Sequence, residues 1–351
     1  MNFTKEMKIG DKLVGDNHPC FIIAEAGVNH NGDIRLAKKL VDEAKNCGVD
    51  AVKFQTWITE ELMVPELKTA EYHKEFSGYD NFFDMAKKLE LSYDEFRELK
   101  SYCDEKNIIF LSTPDEEKST DFLNSIGVSA FKISSPEFNN PRMIKHILKY
   151  NKPTIISTGM NSEEQIEKTL QDIKNLDNKD IVILHCTSEY PAPLDSVNMN
   201  FMKNLKEKYN CVIGYSDHTQ GTTIAPIAIA AGAKVYEKHF TLDKNMPGPD
   251  HKTSIDPEEM KTLVRNIRET EKIMGSYNKI VTETEETNSQ VMKKVIVASK
   301  NIEEGQILSC EDIIMKRAES GIEPRFEKEI VGKTINRNIK KDEVIRKEDL
   351  I

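Results

Sequence analysis

Over roughly the first 260 residues, short apolar runs alternate with amphipathic stretches. Eight runs read as strands: FIIAEA (21–26), AVKFQT (51–56), IIFLST (108–113), AFKIS (130–134), PTIIST (153–158), IVILHC (181–186), CVIGYS (211–216) and AKVYEKHF (233–240). Between them apolar residues recur at helical spacing. In IRLAKKLVDEAKNCG (34–48), Leu36, Leu40, Val41 and Ala44 mark one face and Gly48 the stop. The pattern returns in EEQIEKTLQDIKN (163–175) and PEEMKTLVRNIRETEKIMG (257–275). Eight strands alternating with helices predict an α/β fold, a (β/α)8 TIM barrel. The competitor, a doubly wound open sheet, more often carries a Gly-rich nucleotide turn, and no GxGxxG follows any of these strands. The longest insertion, 57–90, follows the second strand and is expected to form a lid or rim over the C-terminal mouth. KIGDKLVGDNHP (8–19) reads as a short hairpin plugging the other end.

Beyond the barrel the pattern changes. SYNKIVTETEETNSQ (276–290) is polar, acidic and rich in Thr, which suggests a linker. Short strands and turns follow in KKVIVASKNIEEGQIL, EDIIMKRA and GKTINRNIKKDEVI. The expected division is a barrel domain over 1–275, a linker over 276–290 and a small domain over 291–351. A tail of about 60 residues buries little core and is marginal alone, so it is expected to dock on something.

Composition narrows the class. With 38% hydrophobic and 31% charged residues, the 351-residue chain reads as globular and soluble. A net charge of −10 and the lack of a basic stripe argue against nucleic acid as a partner. An anionic substrate stays open, because a few buried lysines set a local field against the global sign. The six cysteines form no CxxC pair, and Cys20, Cys186 and Cys211 sit in or beside apolar runs as small hydrophobes. That usage fits a reducing cytoplasm. The N-terminal MNFTKEMKIGDK lacks the apolar core of a signal peptide, and no apolar run approaches membrane-spanning length.

Candidate chemistry gathers at the strand ends. His218 in GYSDH and His239 in EKHFTLDKNMPGPDH follow neighbouring strands, so in a barrel both rings open onto the rim where barrel enzymes react. Neutral imidazole is the commonest metal ligand among side chains. Two histidines without a cysteine ligand leave coordination to water and substrate oxygens, an open site suited to Mn²⁺, Mg²⁺ or Co²⁺. The alternative is two unrelated histidines. Strand alternation places Lys53 inside with Ala51 and Gln55, and Lys132 likewise interrupts an apolar run. Two lysines inside a barrel suggest a doubly charged anion such as a phosphate or carboxylate; otherwise they are structural ion pairs. Thr113, Ser135, Ser157, Ser188 and Ser216 cluster at the same ends, either as turn residues or as a ring of donors for phosphate oxygens. Glu25, Glu137 and Asp250 are rim carboxylates for acid–base work, and Asp217 is read as a supporting or turn residue. His30 is a third ligand or a turn-stabilising residue, and His185 a core histidine; His18, His73 and His146 read as surface residues.

The strings FIIAEAGVNHNGD, VKFQTW, FLSTP, FKISSPE, ISTGM, HCTSEYPAP, GYSDHTQG and EKHFTLDKNMPGPDH, in this order, closely resemble the sialic acid (nonulosonic acid) synthase family. The tail resembles that family's C-terminal antifreeze-like (SAF, β-clip) domain. The resemblance implies condensation of phosphoenolpyruvate with an N-acylated mannosamine-type sugar. The product is a nine-carbon 2-keto acid, N-acetylneuraminate or legionaminate, plus phosphate. It implies a divalent metal, Mn²⁺ before Mg²⁺ or Co²⁺, on His218 and His239. It implies phosphoenolpyruvate among Lys53, Thr113, Lys132, Ser135, Ser157, Ser188 and Ser216. Glu25, Gln55, Tyr190 and Asp250 would face the sugar and Glu137 the attacking water. KRAESG (316–321) resembles a family loop whose Arg317 would reach the sugar's acyl group in the partner of a domain-swapped homodimer. Pro136, Ser188 and Asp115 depart from the common pattern and bear on which sugar is used. Two other readings are a 3-deoxy-sugar-acid synthase acting on a phosphorylated aldose and a sugar-binding relative without catalysis.

Overall fold

The computed structural model describes residues 3–67 and 80–351. The chain divides into two compact units, Met1–Gly275 and Ser276–Ile351. Part of the 57–90 insertion, and His73 within it, lies outside the described residues.

The first unit opens with a hairpin of β1 (Glu6–Ile9) and β2 (Lys12–Gly15). Eight parallel strands follow: β3 (Phe21–Gly27), β4 (Ala51–Thr56), β5 (Ile109–Pro114), β6 (Phe131–Ile133), β7 (Thr154–Ser157), β8 (Ile181–Cys186), β9 (Val212–Asp217) and β10 (Val235–His239). They pair in the order β5-β4-β3-β10-β9-β8-β7-β6, so the first barrel strand pairs with the last, and the end strands β5 and β6 pack together. This is the (β/α)8 barrel. Helix Ile34–Cys47 shows how the sequence builds its outer ring. Asp33 caps its start, Ala37, Leu40, Val41, Ala44 and Cys47 turn inward, and Gly48 at φ 79° ends it in the left-handed region.

Two apolar layers result. The larger lies between the strands and the helices. The smaller fills the lower barrel: Phe21, Ile23, Ala51, Leu111, Ala130, Ile155, Val182, Leu184, Val212 and Val235, joined by Met7, Ile9 and Val14 of the hairpin. The hairpin therefore closes the N-terminal end, as expected for the stretch 8–19.

The second unit carries the antiparallel pair β11 (Lys294–Ala298) and β12 (Ile313–Arg317). Its core is rich in isoleucine: Ile296, Ile302, Ile313, Ile322, Ile330, Ile335, Ile339 and Ile345. The stretch read as a linker is partly helical, over Glu283–Met292. A reciprocal cap between Thr282 and Glu285 starts this helix, although it buries no side chain. Among the described residues no helix is long and apolar enough to cross a membrane.

Candidate active site

One step along each barrel strand changes the chemistry of the interior. Two residues beyond the apolar layer, the inward position becomes polar on all eight strands: Ile23 gives way to Glu25, Ala51 to Lys53, Leu111 to Thr113, Ala130 to Lys132, Ile155 to Ser157, Leu184 to Cys186, Gly214 to Ser216 and Val235 to Glu237. The period of two in a strand makes this one continuous polar layer. It floors a cavity of about 540 Å³ at the C-terminal mouth.

Register places Lys53, Glu25 and His239 in one row across β4, β3 and β10. Lys53 Nζ lies 2.6 Å from Glu25 Oε2 and donates to Thr113 Oγ1 at 3.1 Å. Gln55 Nε2 donates to the other Glu25 oxygen at 3.2 Å. Lys132 Nζ donates to Ser157 Oγ at 2.7 Å. Glu237 sits between the lysines, 3.6 Å from Lys53 and 3.8 Å from Lys132, and accepts from Ser216 Oγ at 2.9 Å. Both lysines are 3% exposed, so their charge is felt at low dielectric. Burial pushes the Glu25 carboxyl up to about 7 against the pull of Lys53. Burial acts on Glu237 in the same sense, but Lys132 and Lys53 outweigh it and hold that carboxyl at about 2. The interior thus carries two cations balanced by carboxylates.

Gly159, after β7, makes the cavity wide where the hydroxyls converge. A Cβ there would lie 2.2 Å from Ser188 Oγ and 2.8 Å from Ser135 Oγ. Pro136 stands at the first position of a 3-10 helix, Pro136–Asn139, where its missing N–H has no partner to lose. Glu137 in that turn lines the cavity and accepts from Asn140 Nδ2 at 2.7 Å.

The two rim histidines face each other with ring centroids 5.4 Å apart, and Tyr190 lies 4.2 Å from the His218 ring and 5.8 Å from the His239 ring. His218 Nδ1 meets the Thr187 carbonyl at 2.7 Å. A carbonyl only accepts, so Nδ1 carries a proton. Burial disfavours a second proton on this ring, but Cys186 and the Thr187 carbonyl outweigh it and raise His218 above the usual histidine range. His239 Nδ1 is buried without a hydrogen bond, with Asp250 Oδ2 3.6 Å away. Burial, then His218 and Lys53, hold His239 well below the usual histidine range, so it is neutral at pH 7. Once His218 gives up a proton from Nε2, the two imidazoles are a fitting donor pair for a divalent cation. Among the described residues no group of three or more His, Cys, Asp or Glu is disposed to hold a metal. The remaining positions would therefore belong to water or substrate.

The residues preceding these histidines point the other way. Asp217 and Lys238 pair in register on β9 and β10, with Lys238 Nζ 2.8 Å from Asp217 Oδ2. Tyr236 OH donates to the same oxygen at 2.5 Å, and Thr219 gives its N–H and hydroxyl to Asp217 Oδ1, both at 2.8 Å. Lys238 also donates to the Thr219 carbonyl. Asp217 is thus a supporting residue on the outer face.

Of the residues singled out from sequence, Glu25, Lys53, Gln55, Thr113, Lys132, Ser135, Glu137, Ser157, Ser188, Tyr190, Ser216, His218, His239 and Asp250 all line the one cavity. Arg317 belongs to the second unit, exposed at the end of β12. His30 supports its turn, its Nδ1 accepting from the Gly32 N–H at 3.0 Å. His185 is a core histidine, 2.6 Å from the Val197 carbonyl. Cys186 corrects its sequence reading: instead of packing as a small hydrophobe, it lines the cavity 3.8 Å from His218 Nδ1 and accepts from Ser135 Oγ at 3.6 Å. Sequence reasoning missed Glu237, although the alternation that placed Lys53 inside also puts Val235, Glu237 and His239 on one face. The insertion after β4 supplies an apolar wall in which Trp57, Met85 and Leu89 are buried and Met63 and Phe82 pack against them.

Comparison with known proteins agrees with this geometry. The NeuB family matches residues 40–279 and the SAF domain residues 293–351. The chain is 44% identical over 328 residues to the N,N'-diacetyllegionaminic acid synthase of Campylobacter jejuni subsp. jejuni serotype O:2, covering 93% of this chain and 98% of that protein. It is 35% identical over 339 residues to the N-acetylneuraminate-9-phosphate synthase of Homo sapiens, covering 96% and 94%. The crystal structure of N-acetylneuraminic acid (sialic acid) synthetase from Leptospira borgpetersenii serovar Hardjo-bovis, in complex with citrate, aligns with a TM-score of 0.73 at 33% identity over 82% of this chain and 95% of that one. The chain belongs to the NeuB family, carries a C-terminal SAF domain, and is an enzyme of the sialic acid synthase type.

Proposed function

We propose that the chain condenses phosphoenolpyruvate with the open-chain aldehyde of an N-acylated mannosamine-type sugar, giving a nine-carbon 2-keto acid and inorganic phosphate. The observation that carries this reading is the buried pair Lys53 and Lys132, flanked by Thr113 and Ser157 and opening onto the Ser135–Gly159–Ser188 cradle. Two ammonium groups with hydroxyl donors around them match the carboxylate and phosphate of phosphoenolpyruvate. Held there, its C3 is kept close to the sugar's aldehyde carbon. C3 forms the new bond to that carbon, and the aldehyde oxygen gains a proton, for which Glu25 is the nearby acid. Water adds at C2 and loses its proton to Glu137. The bond from C2 to the bridging oxygen then breaks as the C2 carbonyl forms, and phosphate leaves with that oxygen and the proton of the C2 hydroxyl. Gln55, Tyr190 and Asp250 face the sugar. A divalent metal, Mn²⁺ first and Mg²⁺ or Co²⁺ next, held by His218 and His239, would supply Lewis-acid polarisation of the aldehyde oxygen.

The similarity to the Campylobacter and human synthases supports an amino-sugar acceptor, either N-acetylmannosamine or a diacetamido-trideoxy sugar leading to a legionaminic-type acid. The reading includes a domain-swapped homodimer in which Arg317 serves the neighbouring barrel. Co-refolding Arg317→Ala with His218→Ala, each inactive alone, then restores activity towards about a quarter of the native value, and no recovery in proven mixed dimers refutes the swap.

The deciding assay is phosphate release from phosphoenolpyruvate after chelation and re-addition of Mn²⁺, with each amino sugar, with arabinose 5-phosphate and with no sugar, followed by product mass. Release is expected only with an amino sugar and metal. His218→Ala and His239→Ala are expected to fold, lose turnover and lose Mn²⁺ binding by electron paramagnetic resonance. Release with arabinose 5-phosphate, or full turnover without metal, overturns the assignment.

A further inference from the structure

Behind the cavity lies a buried polar network that the chemistry just described does not use. It joins the turn after β3, which carries Asn29 and Asn31, to the segment after β10, which carries Thr241, His251 and Ser254. Asn29, Thr241, His251 and Ser254 are all buried. Among the described residues that line the cavity none of these five is found, whereas Asp250, the neighbour of His251, is. Polar groups buried away from a ligand are costly unless each is paired, so their pairing shows what they hold.

The directions of these hydrogen bonds follow from the groups themselves. Asn31 Nδ2 donates to the Pro247 carbonyl at 3.0 Å, so Asn31 Oδ1 faces His251 Nε2 at 3.2 Å and Nε2 carries a proton. Burial pushes His251 down to about 4, so at pH 7 the ring holds that one proton, and Nδ1 accepts from the Thr241 hydroxyl at 2.7 Å. A second chain starts at Asn29. Its Nδ2 donates to the Phe240 carbonyl and to Ser254 Oγ, both at 2.9 Å, and the Ser254 hydroxyl in turn donates to the Asp250 carbonyl at 2.7 Å. That carbonyl also accepts the Thr253 and Ser254 N–H groups at 3.2 and 3.1 Å. The Asp250 backbone is thus pinned, while its side chain makes no cap bond to the 3-10 helix His251–Thr253 that it precedes.

Two glycines show how closely the pieces fit. A Cβ on Gly27 would lie 3.4 Å from each of Asp250 Oδ2, Gln55 Nε2 and Glu25 Oε1, so three polar tips converge beside it. A Cβ on Gly248, at φ 152°, would lie 2.7 Å from His251 Cδ2 and 2.8 Å from Asn31 Oδ1, so the chain passes this close to the ring only as glycine. We propose that His251 and Ser254, anchored by Asn31 and Asn29, are positioning residues that aim the Asp250 carboxylate at the sugar. This rests on the reading that places Asp250 at the sugar, and adds the residues that hold it there.

The test is a double-mutant cycle read in kcat and in both KM values, with N-acetylmannosamine and the diacetamido-trideoxy sugar as acceptors. Ser254→Ala deletes one oxygen, and His251→Phe keeps a ring while removing both of its hydrogen bonds. In each, kcat/KM for the sugar is expected to fall by about 10- to 100-fold, as for a group displaced by about 1 Å, while the KM for phosphoenolpyruvate stays within about twofold. Added to Asp250→Ala, the same changes are expected to cost less than about threefold more, because the group they aim is gone. A merely structural role would weaken both substrates together and add in full in that background. Should His251→Phe fail to fold, Ser254→Ala decides alone. Native kcat/KM for the sugar in Ser254→Ala, or full additivity with Asp250→Ala, overturns the positioning and leaves the reaction intact. Native use of the sugar by Asp250→Ala overturns the placing of Asp250 and this inference with it. Phosphate release that needs no amino sugar overturns the condensation itself, and the positioning falls with it.

Discussion

Replacing Lys238 by methionine removes one half of an ion pair that touches no substrate. Lys238 is 1% exposed and its partner Asp217 is equally buried. The lost ammonium leaves a buried carboxylate without a countercharge and the Thr219 carbonyl without its donor. Breaking a buried pair from one side costs about 3–5 kcal/mol. Asp217 keeps three donors, from Tyr236 OH and from the Thr219 N–H and hydroxyl, so the lower end applies, about 3 kcal/mol. At about 2–4 °C per kcal/mol for a domain of this size, Tm falls by about 6–12 °C. The single tryptophan of the chain, Trp57, lies in the barrel unit and is buried, so its fluorescence follows the unfolding of that unit. The double variant Asp217→Asn with Lys238→Met removes the stranded charge and recovers more than half of the loss. If the rim histidines hold Mn²⁺ as proposed, its affinity drops by about 10-fold or more in the single variant, because both partners directly precede those histidines. A single variant that melts with the native protein, or a double variant no more stable than the single, refutes the reasoning.

Three further outcomes follow from the site. Lys132→Met raises the KM for phosphoenolpyruvate by at least about 30-fold, the low end of the 2–5 kcal/mol for an unpaired buried charge, with little change for the sugar; parallel changes in both would make the lysine structural. Gly159→Ala places a methyl 2.2 Å from Ser188 Oγ, so isothermal titration is expected to show lost phosphoenolpyruvate binding in a protein with native circular dichroism. Native affinity there removes the cradle. The Glu25 carboxyl, pushed up to about 7 by burial, gives a proton to the aldehyde oxygen in the proposed reaction only while protonated. On that reading kcat falls as pH rises through about 7, and in Glu25→Gln the residual rate loses that limb. A limb unchanged in the variant assigns it to another group.

The barrel was legible because its two periodicities are local. Strand alternation exposed Lys53 and Lys132, and helical spacing exposed helix Ile34–Cys47. Strand-end position also sufficed for His218 and His239. What stayed hidden depends on register. That Asp217 meets Lys238 requires β9 and β10 to pair residue for residue, and nothing in either string encodes it. Cys186 looks like any cysteine in an apolar strand until its inward position is counted against Leu184. Helix Glu283–Met292 has no apolar stripe to betray it, and only the T-x-x-E cap of Thr282 and Glu285 marks its start. The apolar wall forms when the insertion folds back on Trp57, which no local pattern states.

The β1–β2 hairpin has a consequence for the order of events. With Met7, Ile9 and Val14 stopping one end, the barrel is a blind well whose floor is hydrocarbon and whose next layer up is the lysine pair. Among the described residues that end is stopped, which leaves the mouth as the way in. If phosphoenolpyruvate uses Lys53 and Lys132 as proposed, it has to descend past the rim before the sugar settles above it, and a sugar arriving early would cork the shaft. On that reading turnover is a queue: phosphoenolpyruvate first in, sugar second, and the deepest-seated product free to leave only when the way above it has cleared.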